Sequence, residues 1–169
     1  MRATVLGFCA VVLSSCSLTS DEFPTDIVQT DQVRYNAQVT SEGLAQVTFD
    51  VPFVIRNTTG APLYRTGCLV PDPAILIKEE EGEIVTAYNQ AVLMCLGPPY
   101  VIEPGEVVRD TLHVHGALPG QNSAPTFDTE VEGTYRLYLQ LYTTLEDDGA
   151  SGDDLAPFEA LLSNTFRVE

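Results

Sequence analysis

Two histidines, His113 and His115, lie two residues apart on a stretch that alternates apolar and polar residues. That spacing puts both imidazoles on one face of a strand. Paired imidazoles are one way to begin a metal site, but the same face carries Arg109 and Thr111, and the spacing supplies no third ligand. The pair reads as solvated surface, and no metal is expected there. Asp147, Asp148, Asp153 and Asp154 gather carboxylates, and calcium takes roughly six to eight oxygens. They lack the D-x-D-x-D-G spacing of a calcium loop, so a solvated loop is expected. Nucleophilic catalysis needs a base beside its nucleophile. The chain has two histidines, no G-x-S-x-G and no glycine-rich phosphate loop, so neither a catalytic residue nor a cofactor is expected. Tyr138 and Tyr142 would project from the outer face of a late strand, and Val54 from that of an early one. Such a face serves either as a binding platform or as a second covered surface, and both readings stand.

Cys16 has the most specific chemical setting. A basic start (Arg2), an apolar run from Ala3 to Leu13 and two serines lead up to it, the order of a processed export signal. The run, about eleven residues, falls short of the ~20 needed to span a bilayer. Leu13-Ser14-Ser15-Cys16 resembles the lipobox of bacterial lipoproteins. The resemblance implies that residues 1–15 are removed and that Cys16, now first, carries lipid on its sulfur and its amino group. Each buried methylene contributes ~0.8 kcal/mol, and a single acyl chain binds only marginally, so two or three chains make a lasting anchor. Ser17 follows, where an aspartate would resemble an inner-membrane retention signal, so in a cell with two membranes the outer one is favoured. Ordinary secretion of a soluble product is the rival reading.

On that reading Cys9 leaves with the signal and Cys16 is lipidated, so Cys68 and Cys95 remain as one pair outside the cytoplasm. A disulfide is the expectation for such a pair. In the chain-entropy model, closing a loop of about 28 residues removes roughly 3–4 kcal/mol of unfolded-state freedom. Zinc would want further Cys or His at close spacing, and none is present. The chain carries 8 Lys+Arg against 24 Asp+Glu, a formal charge of −16, and Lys78 is its one lysine. That balance disfavours nucleic acid and anionic headgroups as partners and keeps a tethered domain soluble.

These residues must be held by strands. Residues 16–31 are polar and acidic and read as lipid anchor and flexible tether; residues 32–169 read as one domain. Val33, Tyr35, Ala37 and Val39 alternate with polar residues and predict a first strand. Val47, Phe49, Val51, Phe53 and Ile55 share one face of the next, a set that needs a second layer to cover it. Pro52 lacks an N–H, so that strand has a bulge or an edge there. Asn57-Thr58-Thr59-Gly60-Ala61-Pro62 is turn chemistry; its first three residues also match a glycosylation sequon, of little weight in bacterial export. Strands follow at Pro62–Arg65, Ala74–Glu79, Ile84–Tyr88, Val107–Val114, Tyr135–Leu141 and Asn164–Val168. A loop spans Gly116–Phe127. Leu155–Leu162 predicts a short helix, capped by Asp154 with Pro157 in its first turn. Eight or nine short strands with almost no helix make an all-β protein, an antiparallel β-sandwich.

Gly133-Thr134-Tyr135 resembles the tyrosine corner of immunoglobulin-like sandwiches. Val51 to Gly60, the Cys68 and Cys95 pair, Glu103-Pro104-Gly105-Glu106, Gly133 to Leu137 and Ser163 to Phe166 occur in an order similar to that of small Ig-like bacterial lipoproteins. The order resembles, more distantly, the intracellular proteinase-inhibitor family. The resemblance implies an Ig-like fold. Fold does not name a function. The expectation is a non-enzymatic, lipid-anchored envelope protein that binds an envelope protein or glycan, or contributes to surface architecture. The alternative is a protease inhibitor acting through a protruding loop such as Gly116–Phe127, against which export and the disulfide both speak.

Overall fold

Alternation of apolar and polar residues makes β4 (Gln46–Arg56) the strand around which the chain is built. Val47, Phe49, Val51, Phe53 and Ile55 are all buried, while Asp50 and Arg56 are exposed. In the computed structural model, which describes residues 24–40, 43–67, 74–80, 82–90, 97–145 and 154–169, β4 pairs along its whole length with β9 (Val107–Ala117), antiparallel and without a register shift. Its other side is shared. β3 (Gln38–Thr40) covers Gln46 to Thr48, and β1 (Val28–Thr30) covers Phe53 to Ile55. Pro52 lies in the gap between them. Its carbonyl accepts from Asp31 N at 3.1 Å, so its missing N–H falls where the partner strand is interrupted and costs the ladder nothing.

The second sheet runs β2 (Arg34–Tyr35), β11 (Phe166–Val168), β10 (Gly133–Leu139), β6 (Ala74–Glu80), β7 (Glu83–Asn89). All its pairs are antiparallel except β2 with β11, and a bulge sits between Leu76 and Ile77. Leu76, Tyr135, Leu137, Leu139 and Phe166 face Val47, Val51, Phe53 and Ile55 across one core. A third, two-stranded ladder, β5 (Leu63–Gly67) with β8 (Gly97–Ile102), closes one end, with Leu63 and Ile102 buried. The molecule is the expected all-β, Ig-like sandwich.

Several expectations change. The sequence reads as anchor and tether over residues 16–31, yet Ile27 and Val28 are buried and Val28–Thr30 is paired, so the sandwich begins before residue 32. The predicted strand from Val33 to Val39 is two strands in different sheets. The chain crosses between them, and Val33 and Val39 are exposed while Tyr35 is buried. β8 departs from the sequence reading, in which Gly97-Pro98-Pro99 is a breaker; among the described residues it pairs with β5 alone, and proline is tolerated on such a strand. The predicted helix is one 3₁₀ turn, Phe158–Leu161, led by Pro157 with no side-chain cap. Asp154 does not cap it, because its carboxylate and amide are engaged with Thr144 Oγ1, at 3.3 and 3.2 Å.

Candidate functional sites

The end of the sandwich below β10 is held by a lysine and a tyrosine. β6 and β10 bring Lys78 opposite Tyr135 on the inward face. Tyr135 Oη meets the carbonyls of Glu130, at 3.2 Å, and Val131, the tyrosine corner that Gly133-Thr134-Tyr135 led one to expect. Lys78 Nζ lies 4.7 Å from the centre of that ring and donates to the carbonyls of Glu132, at 3.0 Å, and Glu130. Burial pushes the Lys78 ammonium below its ordinary pKa, and Glu80 and Glu130 pull it back up. Burial raises Tyr135, with Glu80 adding to the rise. Gly133 adopts φ +151°, and a Cβ there would stand 2.9 Å from Lys78 Cε. The glycine is what lets the lysine lie down against the corner.

At the β5–β8 end two polar side chains are buried. Arg65 Nη2 meets Asp110 Oδ2 at 2.7 Å, the arginine side chain being 6% and the aspartate 38% exposed. Burial lowers the Arg65 pKa; Asp110 and Tyr100 oppose it. Asp110 Oδ1 also accepts from Thr111 N at 2.7 Å, so one carboxylate ties β5 to β9. Asn57 is fully buried. Its amide donates to Ile102 O at 2.7 Å and Ala61 O at 2.9 Å, and its oxygen accepts from Thr59 N and Thr59 Oγ1 at 3.0 and 2.6 Å. Both amide hydrogens are taken, so the folded domain presents no sequon nitrogen.

His113 and His115 do share the outer face of β9. His113 Nδ1 sits 2.8 Å from Asp50 Oδ1, its strand partner, and both are well exposed. His115 Nε2 sits 3.0 Å from Gln46 Oε1. Among the described residues no three His, Cys, Asp or Glu come together as a metal would require. Asp147, Asp148 and Asp153 lie outside the described residues, as do Cys9, Cys16, Cys68 and Cys95.

The outer face of the second sheet is partly covered. Phe158 packs on Tyr138 with ring centres 5.7 Å apart, and Leu162 bridges to Tyr138. Tyr142 bridges to both Tyr64 and Leu155. Of the two readings of this face, covering holds at Tyr138, where the cover is Phe158 and the segment that carries it; Tyr142 is half-buried. Beside it runs a groove of about 640 Å³ whose lining includes Ile77, Ile84 and Leu162 together with Glu79, Arg136 and Glu159.

The Gly116–Phe127 loop is fastened down. Ala117 N donates to Pro125 O, Phe127 N to Ala117 O, Leu118 N to Ala45 O and Gln121 N to Leu118 O, at 2.9, 3.0, 3.4 and 3.3 Å. Phe127 is buried against Tyr88, ring centres 4.9 Å apart. Sequence reading missed the partners of Asn57, Arg65 and Lys78. Lys78 carried the one available signal, a lone lysine at an inward-facing position of a strand. Among the described residues no helix is long and apolar enough to cross a membrane. No family model and no curated protein matches this chain.

Proposed function

We propose that the protein is a lipid-anchored, non-enzymatic binding module of the cell envelope, held by lipid on Cys16 and presenting an Ig-like sandwich to an envelope protein or glycan. The observation that carries this reading is where the fold begins. Ile27, buried, lies eleven residues beyond Cys16, so the sandwich hangs within about 40 Å of its anchor at full extension. A domain on so short a lead works at the membrane surface. With Ser17 in place of the aspartate that would resemble an inner-membrane retention signal, the outer membrane is favoured in cells with two. Metabolic labelling with palmitate tests the anchor: the full chain takes up label and partitions with membranes, and Cys16→Ala does neither. Label on the variant overturns the reading.

A Cys68–Cys95 disulfide belongs to the same proposal. β5 and β8 end with Gly67 opposite Gly97, one residue before Cys68 and two after Cys95, and a disulfide spans Cα atoms about 4.4–6.8 Å apart. Alkylation before and after reduction, read by mass spectrometry, should release two thiols; two thiols already free before reduction exclude the bond. The fastened Gly116–Phe127 loop favours the binding module over the protease-inhibitor alternative, because a bait loop has to stand extended in a protease cleft.

A further inference from the structure

β7 stands at the end of its sheet and, among the described strands, pairs with β6 alone. Across that hairpin Glu80 is opposite Glu83, Glu79 opposite Ile84 and Ile77 opposite Thr86. In a hairpin with a two-residue loop the closing pair, here Glu80 with Glu83, exchanges its backbone bonds, and the pairs alternate from there. Ile84 and Thr86 therefore turn their N–H and C=O groups away from β6, toward the outside of the sheet.

The fold treats the two halves of this edge differently. Beyond the bulge, Ala87 O accepts from Asp128 N at 2.9 Å, and Tyr88 bridges to Phe127. The outer edge of β9 is blunted in the same spirit: Tyr88 Oη engages His115 N and O, and Asp110 Oδ1 accepts from Thr111 N. Among the described residues no such partner stands against Ile84 or Thr86. A bare row of strand N–H and C=O groups is a template for another extended chain, and Lys or Pro commonly closes such an edge. Ile84-Val85-Thr86 carries neither, and Ile84 is 55% exposed.

The surroundings select the kind of chain. Ile84 shares the outer face with Ile77 and Glu79, and all three line the groove of about 640 Å³. Glu79 and Glu159 are exposed in that lining, and Glu80 and Glu83 are exposed at the hairpin end, against Arg136. The other lining cation, Lys78, is engaged with backbone carbonyls. Glu80 and Glu83 face one another as cross-strand partners, and like charges so placed are unfavourable until a cation joins them. Neighbouring strands lie about 4.8 Å apart, so a residue added beside Ile84 stands roughly 10 Å from Glu79. A lysine or arginine laid over the Ile84 side chain spans that gap.

We propose that the β7 edge from Ile84 to Thr86, with the groove beside it, takes up an extended segment of a partner protein in which Lys or Arg alternates with apolar residues. The segment adds as a further strand: its backbone bonds to Ile84 and Thr86, and its cations meet Glu79 and Glu83. This rests on the binding-module reading and names the partner's chemistry. A second copy of this chain does not suit the edge, because pairing β7 with itself sets the same glutamates together on molecules of formal charge −16.

The test uses the full chain and, at physiological salt, a capped octapeptide alternating lysine and valine. A lysine–proline octapeptide supplies the charge without the strand N–H groups, and a glutamate–valine octapeptide supplies the strand with the opposite charge. The lysine–valine peptide should bind saturably, and the Ile84 and Thr86 amides should gain protection from hydrogen exchange. Ile84→Lys, at an exposed position, should raise the Kd about tenfold or more at an unchanged melting temperature, and Glu79→Lys should weaken the same binding. The proposal is overturned if the lysine–valine peptide does not saturate, if either control binds as tightly, if protection appears elsewhere, or if both variants bind as the parent does. A dimer of the chain alone that Ile84→Lys dissolves, read by sedimentation, overturns it in favour of a second copy. Crosslinking in cells separates the two levels. A partner captured equally by the parent and by Ile84→Lys removes the edge assignment and leaves the binding-module reading standing; no partner and no bound peptide removes both.

Discussion

Asn57→Ala is the most exacting check on the way this sandwich is closed. The parent side chain makes four hydrogen bonds while fully buried, and their loss is uneven. Ala61 O keeps the Thr59 hydroxyl at 2.7 Å, and Thr59 N lies in a turn where water replaces Asn57 Oδ1. Ile102 O has no such substitute. Ile102 is 1% exposed, so its carbonyl loses the donor that reached it, at about 1–3 kcal/mol. Adding roughly 0.5–1.5 kcal/mol for the turn bonds, the variant should lose about 2–4 kcal/mol. For a domain of this size, at about 2–4 °C per kcal/mol, the melting temperature should fall by about 5–15 °C.

Urea unfolding followed by far-ultraviolet circular dichroism is the assay, since the chain has no tryptophan. Two companions sharpen it. Asn57→Asp keeps an acceptor for Thr59 but turns a carboxylate toward the carbonyls of Ile102 and Ala61, so it should be less stable than the alanine variant. Thr58→Ala, at an exposed position, should change stability by less than about 0.5 kcal/mol. An Asn57→Ala loss under about 1 kcal/mol, or an aspartate variant more stable than the alanine one, refutes the reasoning.

Tyr135→Phe should cost about 1–2 kcal/mol by taking the phenol's donor from the Val131 carbonyl, while Glu130 O keeps Lys78, measured by the same urea curves; no change would mean the corner's hydroxyl is idle. Stability should also fall steeply in alkali. Tyr35 is pushed up to about 12 by burial and by its bond to Asp31, and burial raises Tyr88 and Tyr135 too. Folded phenols that keep their protons above the unfolded value near 10 contribute stability fully present below pH 10, and it is lost as pH rises through their folded pKa values. Urea midpoints from pH 8 to 12 read this, and Tyr35→Phe should flatten the alkaline limb. Lys78 should resist amine-reactive esters in the folded chain and react once urea unfolds it, as peptide mass spectrometry can follow. Rapid labelling of the native protein would contradict its bonds to Glu130 and Glu132.

The sandwich was legible wherever one face of a strand was buried and the other wet. Val47 to Ile55 and Tyr135 to Leu141 announce themselves by period two, and Tyr135 announces the corner through the glycine two residues before it. Legibility failed where the chain serves two sheets in turn. The alternation from Val33 to Val39 is real, but the pattern does not record that Arg34–Tyr35 pairs with β11 while Gln38–Thr40 pairs with β4. It failed again at β8, where composition speaks of a breaker and pairing with β5 overrules it. Ile27 and Val28 looked like stray apolar residues of a tether because two residues carry no period. Among site residues, the shared face of His113 and His115 was readable. The meeting of Gln46, Gln90 and Ser123 around one pocket was not, because the three have no spacing in common and come together only through the fold.

The buried polar groups of this domain divide in a way that bears on function. Asn57, Arg65 and Lys78 each sit at an end of the sandwich, and each bonds to partners within the chain. Asn57 and Lys78 hold loops to strands, and Arg65 ties β5 to β9. Gln90 Oε1 and Gln121 Oε1 are buried side-chain acceptors without partners among the described residues. Neither atom has surface open to solvent, so neither is an acceptor held ready for a ligand. Gln90 stands where the two sheets and the Gly116–Phe127 loop converge, beside Gln46, His115 and Ser123, and that seam is held by Gly116, Tyr88 and the loop's backbone bonds. One of the two histidines that the sequence singles out thus stands at the seam and the other, His113, on the open face of β9 beside Asp50.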